Sequence, residues 1–389
     1  MNQSTAIGVI GAGTMGQGIA QIASANNHQV YLYDAYPDQL GKAKHALRKI
    51  LQRQVEKDRM SQDEVNGIMK RIHFVDDLTN FDQRGLVIEA VVEDLEIKKD
   101  VFRRLEGIAS RECILATNTS SLSIASISSA LKKPKRFLGI HFFNPAPLMP
   151  LTEIIPGIAT AGDTTQRARS LIDGWGKTTV LAKDTPGFIV NRVARPFYSE
   201  AIRQYEEGVA DIPTIDWAME EIGGFRMGPF KLMDFIGHDI NYRVTETVFK
   251  EFFYDPRFKP SFTQKRMVEA GYLGKKSGRG FYDYSEKAEN PELTKDEELG
   301  QRIVDRIVAM LINEACDAVF MNVATIKDLE LAMTEGVNYP KGLLEWADEI
   351  GLKEVLNRIT ALQMEYGEDR YRPNPLLKRM VRNNETFYK

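Results

Sequence analysis

"IGVIGAGTMGQGIA", residues 7–20, sets the fold of the amino-terminal half. Ile7 to Ile10 read as a short buried strand, and the residues after Gly16 as a helix. Gly11, Gly13 and Gly16 stand between them. One glycine allows the tight turn, one lets backbone amides approach a pyrophosphate, and one permits close helix–strand packing. The helix N-terminus adds amides and a dipole that favour an anion. Gly11, Ala12, Gly13, Thr14, Met15 and Gly16 are therefore the expected phosphate loop.

A glycine turn alone is a weak signal, because such turns are common. Its strand–turn–helix setting strengthens it, as does Asp34, 18 residues after Gly16 at the end of "QVYLYD". A carboxylate there accepts from the ribose hydroxyls of NAD and repels the extra phosphate of NADP. No arginine immediately follows Asp34, which also favours NAD. The plainer alternative is a glycine turn with an aspartate capping the next helix.

Outward from this loop, strand-like and helix-like segments alternate. "TAIGVI", "QVYLYD", "RIHFVD", "GLVIEAVV", "CILATN", "RFLGIHFF", "LTEIIP" and "TTVLAK" are short and apolar, with helical stretches between most of them. This alternation predicts an α/β Rossmann-type doubly wound sheet, mainly parallel and covered by helices on both faces. Between the second and third strands, Leu40, Ala43, Leu47, Ile50 and Leu51 recur at helical spacing from Asp38 to about Arg59. Lysines and arginines fill the other faces of that helix. A second helix is expected after Ser61, with Glu64 completing a capping box.

Past "KDTPGF" (183–188) the pattern is helical almost throughout, and it repeats. At an offset of 114, "IVNRVARPFYSEA" meets "IVDRIVAMLINEA", Arg192 falls on Arg306, Glu200 on Glu314, Gly228 on Gly342 and Asp234 on Asp348. Two repeated all-α domains are thus expected to follow the sheet. The expected boundaries are 1–184 for the dinucleotide domain, 185–284 for the first helical copy and 299–389 for a second, degenerate copy. The charged stretch 285–298 would link them. The second copy has Asp305 where the first has Asn191, and its carboxyl end lacks the "GKKSGRGFYDY" run.

The 389 residues carry a formal charge of −3, which gives no reason to expect a nucleic-acid partner. With two cysteines a disulfide framework is not expected, and a reducing compartment is. No apolar run is long enough for a bilayer and no signal-peptide pattern is visible, so a cytoplasmic location is expected. No metal site is expected.

"GIHFFNPAPLMPLTEII" (139–155) places His141 and Glu153 among apolar residues, which disfavour both. His141 lies at the carboxyl end of a strand, where ligands sit in open parallel sheets. Glu153 can reach back across the proline turn to fix the imidazole tautomer and support its cation. Such a pair takes a proton from an alcohol while a hydride leaves the same carbon. His28, His45, His73 and His238 read as structural residues.

"GAGTMGQGIA", "EAVVEDLEIK", "TNTSSLSI", "GIHFFNPAPLMPLTEII", "KDTPGFIVNR" and "GKKSGRGFYDY" together resemble the L-3-hydroxyacyl-CoA dehydrogenases, including 3-hydroxybutyryl-CoA enzymes. The resemblance runs in order from about residue 5 to 285, and the second helical copy resembles the extra domain of longer members. It implies an NAD-dependent oxidation of L-3-hydroxyacyl-CoA to 3-oxoacyl-CoA, with the substrate between the sheet domain and the first helical copy. By the resemblance His141 is the general base and Glu153 orients it. Ser120 and Asn191 would hydrogen-bond the reacting oxygen and the thioester carbonyl. Glu93, Lys98, Asn144 and Lys276 would line NAD, Ser120 would lie near it too, and Lys98 and Lys57 would meet the CoA moiety. One departure is Ile50, where some relatives carry a serine that assists CoA binding. In single-copy relatives the helical unit packs on another subunit, so here a monomer with an internal pseudo-dimer, or a homodimer, is expected. Alternatives are a related sugar-acid dehydrogenase of the gulonate type and a non-catalytic NAD sensor. Nothing resembling a hydratase is present.

Overall fold

In a computed structural model of the chain, residues 5–286, 288 and 293–388 are described. The expected linker therefore lies partly outside the described residues. The chain divides into two compact units, Met1–Thr185 and Pro186–Lys389.

Unit 1 is built on eight strands: β1 (Ile7–Ile10), β2 (Val30–Tyr33), β3 (Ile72–Val75), β4 (Leu86–Glu89), β5 (Ile114–Thr117), β6 (Phe137–Phe142), β7 (Leu151–Pro156) and β8 (Thr178–Leu181). Their order is β3-β2-β1-β4-β5-β6-β7-β8, so the eight expected strands form one sheet. The first six run parallel, β7 is antiparallel to β6, and β8 is parallel to β7. The order reverses at β1, which lies between β2 and β4. That leaves a crevice beyond the carboxyl ends of β1 and β4, the usual ligand position in such sheets.

The helices of unit 1 are α1 (Thr14–Ala25), α2 (Pro37–Val55), α3 (Gln62–Arg71), α4 (Leu95–Ile108), α5 (Ile124–Ser128) and α6 (Gly162–Asp173). In α2 the buried residues Leu40, Ala43, Leu47 and Leu51 keep to one stripe. Ile50 is a correction: it sits off that stripe and is 45% exposed. The helix also ends at Val55, short of Arg59. Ser61 and Glu64 form the expected capping box on α3.

Unit 2 is helical: α7 (Val190–Val193), α8 (Arg195–Glu206), α9 (Ile212–Trp217), α10 (Pro229–Ile236), α11 (His238–Glu251), α12 (Phe262–Glu269), α13 (Glu297–Phe320), α14 (Ile326–Val337), α15 (Leu343–Ile350), α16 (Leu352–Tyr366) and α17 (Pro375–Asn383). Residues 114 apart make equivalent contacts. Arg192 Nε donates to Glu314 at 2.7 Å, and Arg306 Nε donates to Glu200 at 3.0 Å. Asp216 accepts the amides of Phe230 and Lys231 at the start of α10, as Glu330 accepts those of Leu344 and Glu345 at the start of α15. The tail of the second copy differs from expectation. It lacks the glycine-lysine run, yet Phe387 and Tyr388 donate their amides to Asp348 as Phe281 and Tyr282 do to Asp234.

Candidate active site

The glycine loop joins β1 to α1. Gly11 has φ +100°, and a Cβ there would lie 2.5 Å from the carbonyl oxygen of Ala90. At Gly16 a Cβ would lie 1.7 Å from the carbonyl oxygen of Gly11, which forces glycine where the helix meets the turn. Around Gly13 a Cβ would meet nothing within 4 Å. The backbone is therefore open to close approach on that side. Asp34, just past β2, accepts the amide of Ala12 at 2.7 Å and that of Tyr36 at 3.0 Å. A cavity of about 630 Å³ lies here, lined by Gly11, Gly13, Asp34, Tyr36, Val91 and Arg104 among others. Loop, carboxylate and cavity together fit an adenine dinucleotide.

Beside the loop, β4 ends in a wholly buried carboxylate. Glu89 accepts from the Val91 amide, Lys98 Nζ and Thr117 Oγ1 at 2.6–2.7 Å. Lys98, 1% exposed on α4, also lies 3.3 Å from Glu93. Glu93 in turn accepts from Thr119 Oγ1, both the amide and hydroxyl of Ser121, and the amide of Ser120. Burial works against ionisation of Glu93, but Lys98 and the hydroxyls outweigh it and hold its carboxyl below the ordinary value. The ammonium of Lys98 thus lies between two carboxylates.

His141 and Glu153 face each other across the antiparallel β6–β7 register. His141 Nδ1 and Glu153 Oε2 are 2.7 Å apart, with Glu153 fully buried and His141 nearly so. The carboxylate accepts, so Nδ1 carries the hydrogen and Nε2 is the basic nitrogen of the neutral ring. Phe143 packs on the imidazole with ring centroids 4.5 Å apart. Asn118, after β5, accepts the amide of Phe142 at 2.9 Å and ties the ends of β5 and β6 together. Ser120 follows on the same turn. It is therefore brought beside the carboxyl end of β6, since Thr117 pairs with Gly139.

The other expected site residues have these settings. Asn144 is exposed on the β6–β7 turn, joined to Pro145 by a cis bond, and Lys57 is exposed just past α2. In unit 2, Asn191 is half-buried on α7, and Lys276 donates to Asp239 at 2.6 Å. His238 is buried against Asp234 at 2.7 Å, and His28 and His73 bond to Thr5 and Gln29, which are structural uses. Sequence reading missed Glu89 as the hub beneath Glu93, although a glutamate inside "LVIEAVV" was a readable sign. It also missed Lys177, whose ammonium donates to the carbonyls of Ala146 and Met149. Burial lowers that amine to about 8.

A doubly wound sheet with a glycine loop, an aspartate just past the second strand and a buried His–carboxylate pair defines a pyridine-nucleotide-dependent oxidoreductase. Comparison with known proteins narrows the class. Residues 6–185 match the family description "3-hydroxyacyl-CoA dehydrogenase, NAD binding domain", and residues 187–284 and 303–389 match "3-hydroxyacyl-CoA dehydrogenase, C-terminal domain". The chain belongs to the 3-hydroxyacyl-CoA dehydrogenase family, and its cofactor is NAD. It is 36% identical to a 3-hydroxyadipyl-CoA dehydrogenase of Escherichia coli K12, with 96% of each chain covered. A probable 3-hydroxybutyryl-CoA dehydrogenase of Deinococcus radiodurans is 41% identical over 71% of this chain and 99% of its own. Among solved structures, a 3-hydroxybutyryl-CoA dehydrogenase from Escherichia coli K12 superposes with a TM-score of 0.93 at 36% identity, covering 98% of this chain and 99% of that one. Among the described residues no helix is long and apolar enough to cross a membrane.

Proposed function

We propose that the protein oxidises the 3-hydroxyl of an L-3-hydroxyacyl-CoA reversibly, with His141 as general base and Glu153 as its orienting partner. The observation that carries this reading is the 2.7 Å contact between His141 Nδ1 and Glu153. It supports assigning the proton of the substrate hydroxyl to Nε2, and it supplies a negative charge to the imidazolium that results. NAD, held by the Gly11–Gly16 loop and Asp34, would supply the hydride acceptor for C3. Gly13 leaves the backbone open to the pyrophosphate, and Asp34 receives the ribose hydroxyls. Glu93 holds the turn carrying Ser120, which donates to the reacting oxygen. Asn191 is assigned to the thioester carbonyl, and Asn144 and Lys276 to the cofactor. The exposed basic face of α2, with Lys57 beyond it, is assigned to the CoA phosphates.

Both short 3-hydroxyacyl groups and a dicarboxylic group, as in the name of the 3-hydroxyadipyl-CoA relative, fit this chemistry. Purified protein mixed with NAD and 3-hydroxybutyryl-CoA or 3-hydroxyadipyl-CoA is expected to produce NADH. NAD binding without NADH formation from any 3-hydroxyacyl-CoA would sink the reading and favour a sensor.

A further inference from the structure

Four arginines are buried among the described residues of unit 2. Three have carboxylates: Arg192 has Glu314 and Asp317, Arg306 has Glu200 and Glu207, and Arg370 has Glu368. Arg195 has none. It is 5% exposed, its Nη1 donates to Thr245 Oγ1 at 3.1 Å, and its buried Nε has no partner. The guanidinium also lies near the ring of Tyr198, 4.9 Å from the centroid. Burial works against its charge, and Tyr198 and Tyr339 act on it in the opposite sense. A buried charge without a counter-ion is costly, and one aromatic face offsets a small part of that.

Arg195 lines a cavity of about 140 Å³ with Ser199, Arg203, Thr245, Lys259 and Ser261. Glu206 also lines it, but its carboxylate already accepts from Ser261 and Thr263 at 2.6 Å. The volume resembles that of a cavity that admits a benzene-sized molecule, roughly 150 Å³. It suits the end of an acyl chain and not a nucleotide. At the 114-residue offset, Arg195 meets Ala309 and Thr245 meets Ile359, both apolar and buried. The helical fold therefore needs neither the guanidinium nor the hydroxyl. Arg195 stands four residues after Asn191, at the start of α8 and just past the break at Ala194 that ends α7.

We propose that Arg195, positioned by Thr245, whose own hydroxyl donates to the Asn241 carbonyl at 3.0 Å, is the recognition point for a carboxylate at the far end of the acyl chain, making dicarboxylic 3-hydroxyacyl-CoA the preferred substrate class. This rests on the dehydrogenase reading above. A guanidinium takes a carboxylate through two parallel hydrogen bonds, and the ligand supplies the missing counter-ion.

The test compares two substrates of equal acyl length with the full chain and NAD: 3-hydroxyadipyl-CoA and 3-hydroxyhexanoyl-CoA. The kcat/KM ratio is expected to favour the dicarboxylate at least about tenfold, and Arg195→Met to reduce that ratio by about 10- to 100-fold, mainly through KM. Thr245→Val is expected to reduce it several-fold with little risk to folding. Melting gives a second readout. Removing an unpaired buried charge should leave Tm of Arg195→Met equal to or above that of the parent, whereas a structural arginine would lower it. A ratio near one in the parent, a ratio unmoved by both variants, or a lower Tm for Arg195→Met each overturns the inference while leaving the dehydrogenase intact. Oxidation of neither compound overturns both readings.

Discussion

At the scale of single residues, the site depends on ionisable groups held inside apolar strands. Glu153 is expected to matter through charge more than position, because glutamine can still accept from His141 Nδ1. Glu153→Gln should therefore lower kcat by about 10²–10⁴-fold, with the NAD dissociation constant unchanged. His141→Ala should lose at least as much, and full activity in either variant would remove the base from the mechanism. Lys98 gives a contrasting case. Lys98→Met leaves Glu89 buried beside one hydroxyl and one amide, so a loss of about 3–5 kcal/mol in urea unfolding is expected. Glu93 adds a pH dependence. Its carboxyl is held below the ordinary 4.5, so its share of stability is present above that value and is lost as acid protonates it in the folded state. His141 and Glu153 were legible because charge inside an apolar strand stands out in a sequence. Arg195 was not, because its exceptional feature is the absence of a carboxylate counter-ion among the described residues.

Elements make the next level of argument, and the glycine loop is the clearest. Gly13→Ala is expected to change folding stability by no more than about 1 kcal/mol, since only the N-cap preference is altered. It should weaken NAD at least about tenfold, because the added methyl occupies the open side of the loop. Gly16→Ala should instead destabilise the fold by at least about 2 kcal/mol, as its methyl meets the Gly11 carbonyl oxygen. Equal melting temperatures for the two variants would refute this division of labour. In unit 2, Asp216 anchors the start of α10, where burial pushes its carboxyl up to about 7 despite the Tyr282 hydroxyl and two amides. A raised acid is favoured in its protonated form by the folded state. Its contribution is therefore full below about pH 4 and is lost as pH rises through about 7, by about 4 kcal/mol at most. Unfolding midpoints measured across that interval should fall with pH in the parent relative to Asp216→Asn. The periodicity of α2 showed its buried stripe but misplaced Ile50, since a position beside a stripe reads as apolar in either case.

At the scale of the molecule, unit 2 is held together by reciprocal arginine–glutamate pairs that cross between its two halves. Arg306→Met leaves Glu200 buried with the Tyr371 hydroxyl and the more distant Arg203, and is expected to cost about 3–5 kcal/mol. Adding Glu200→Leu should recover much of that loss, because replacing both charges removes the desolvation penalty. A double variant no more stable than the single one in urea would show that the pair is not the coupling. The twofold pattern was readable as an offset of 114 residues. That the matching arginines reach the opposite copy's glutamates was not, since an offset reveals equivalence without revealing which surfaces meet.

The sequence by itself determined the strand–turn–helix order, the glycine loop, Asp34 and the identity of the His–Glu pair. These follow from local sterics and from the rarity of charge in apolar strands. Only the tertiary structure decided that Glu153 lies opposite His141, that Lys98 is enclosed by Glu89 and Glu93, and that Arg195 lacks a counter-ion. Each of those depends on groups distant along the chain, and burial energies act on spatial neighbours regardless of their separation in sequence.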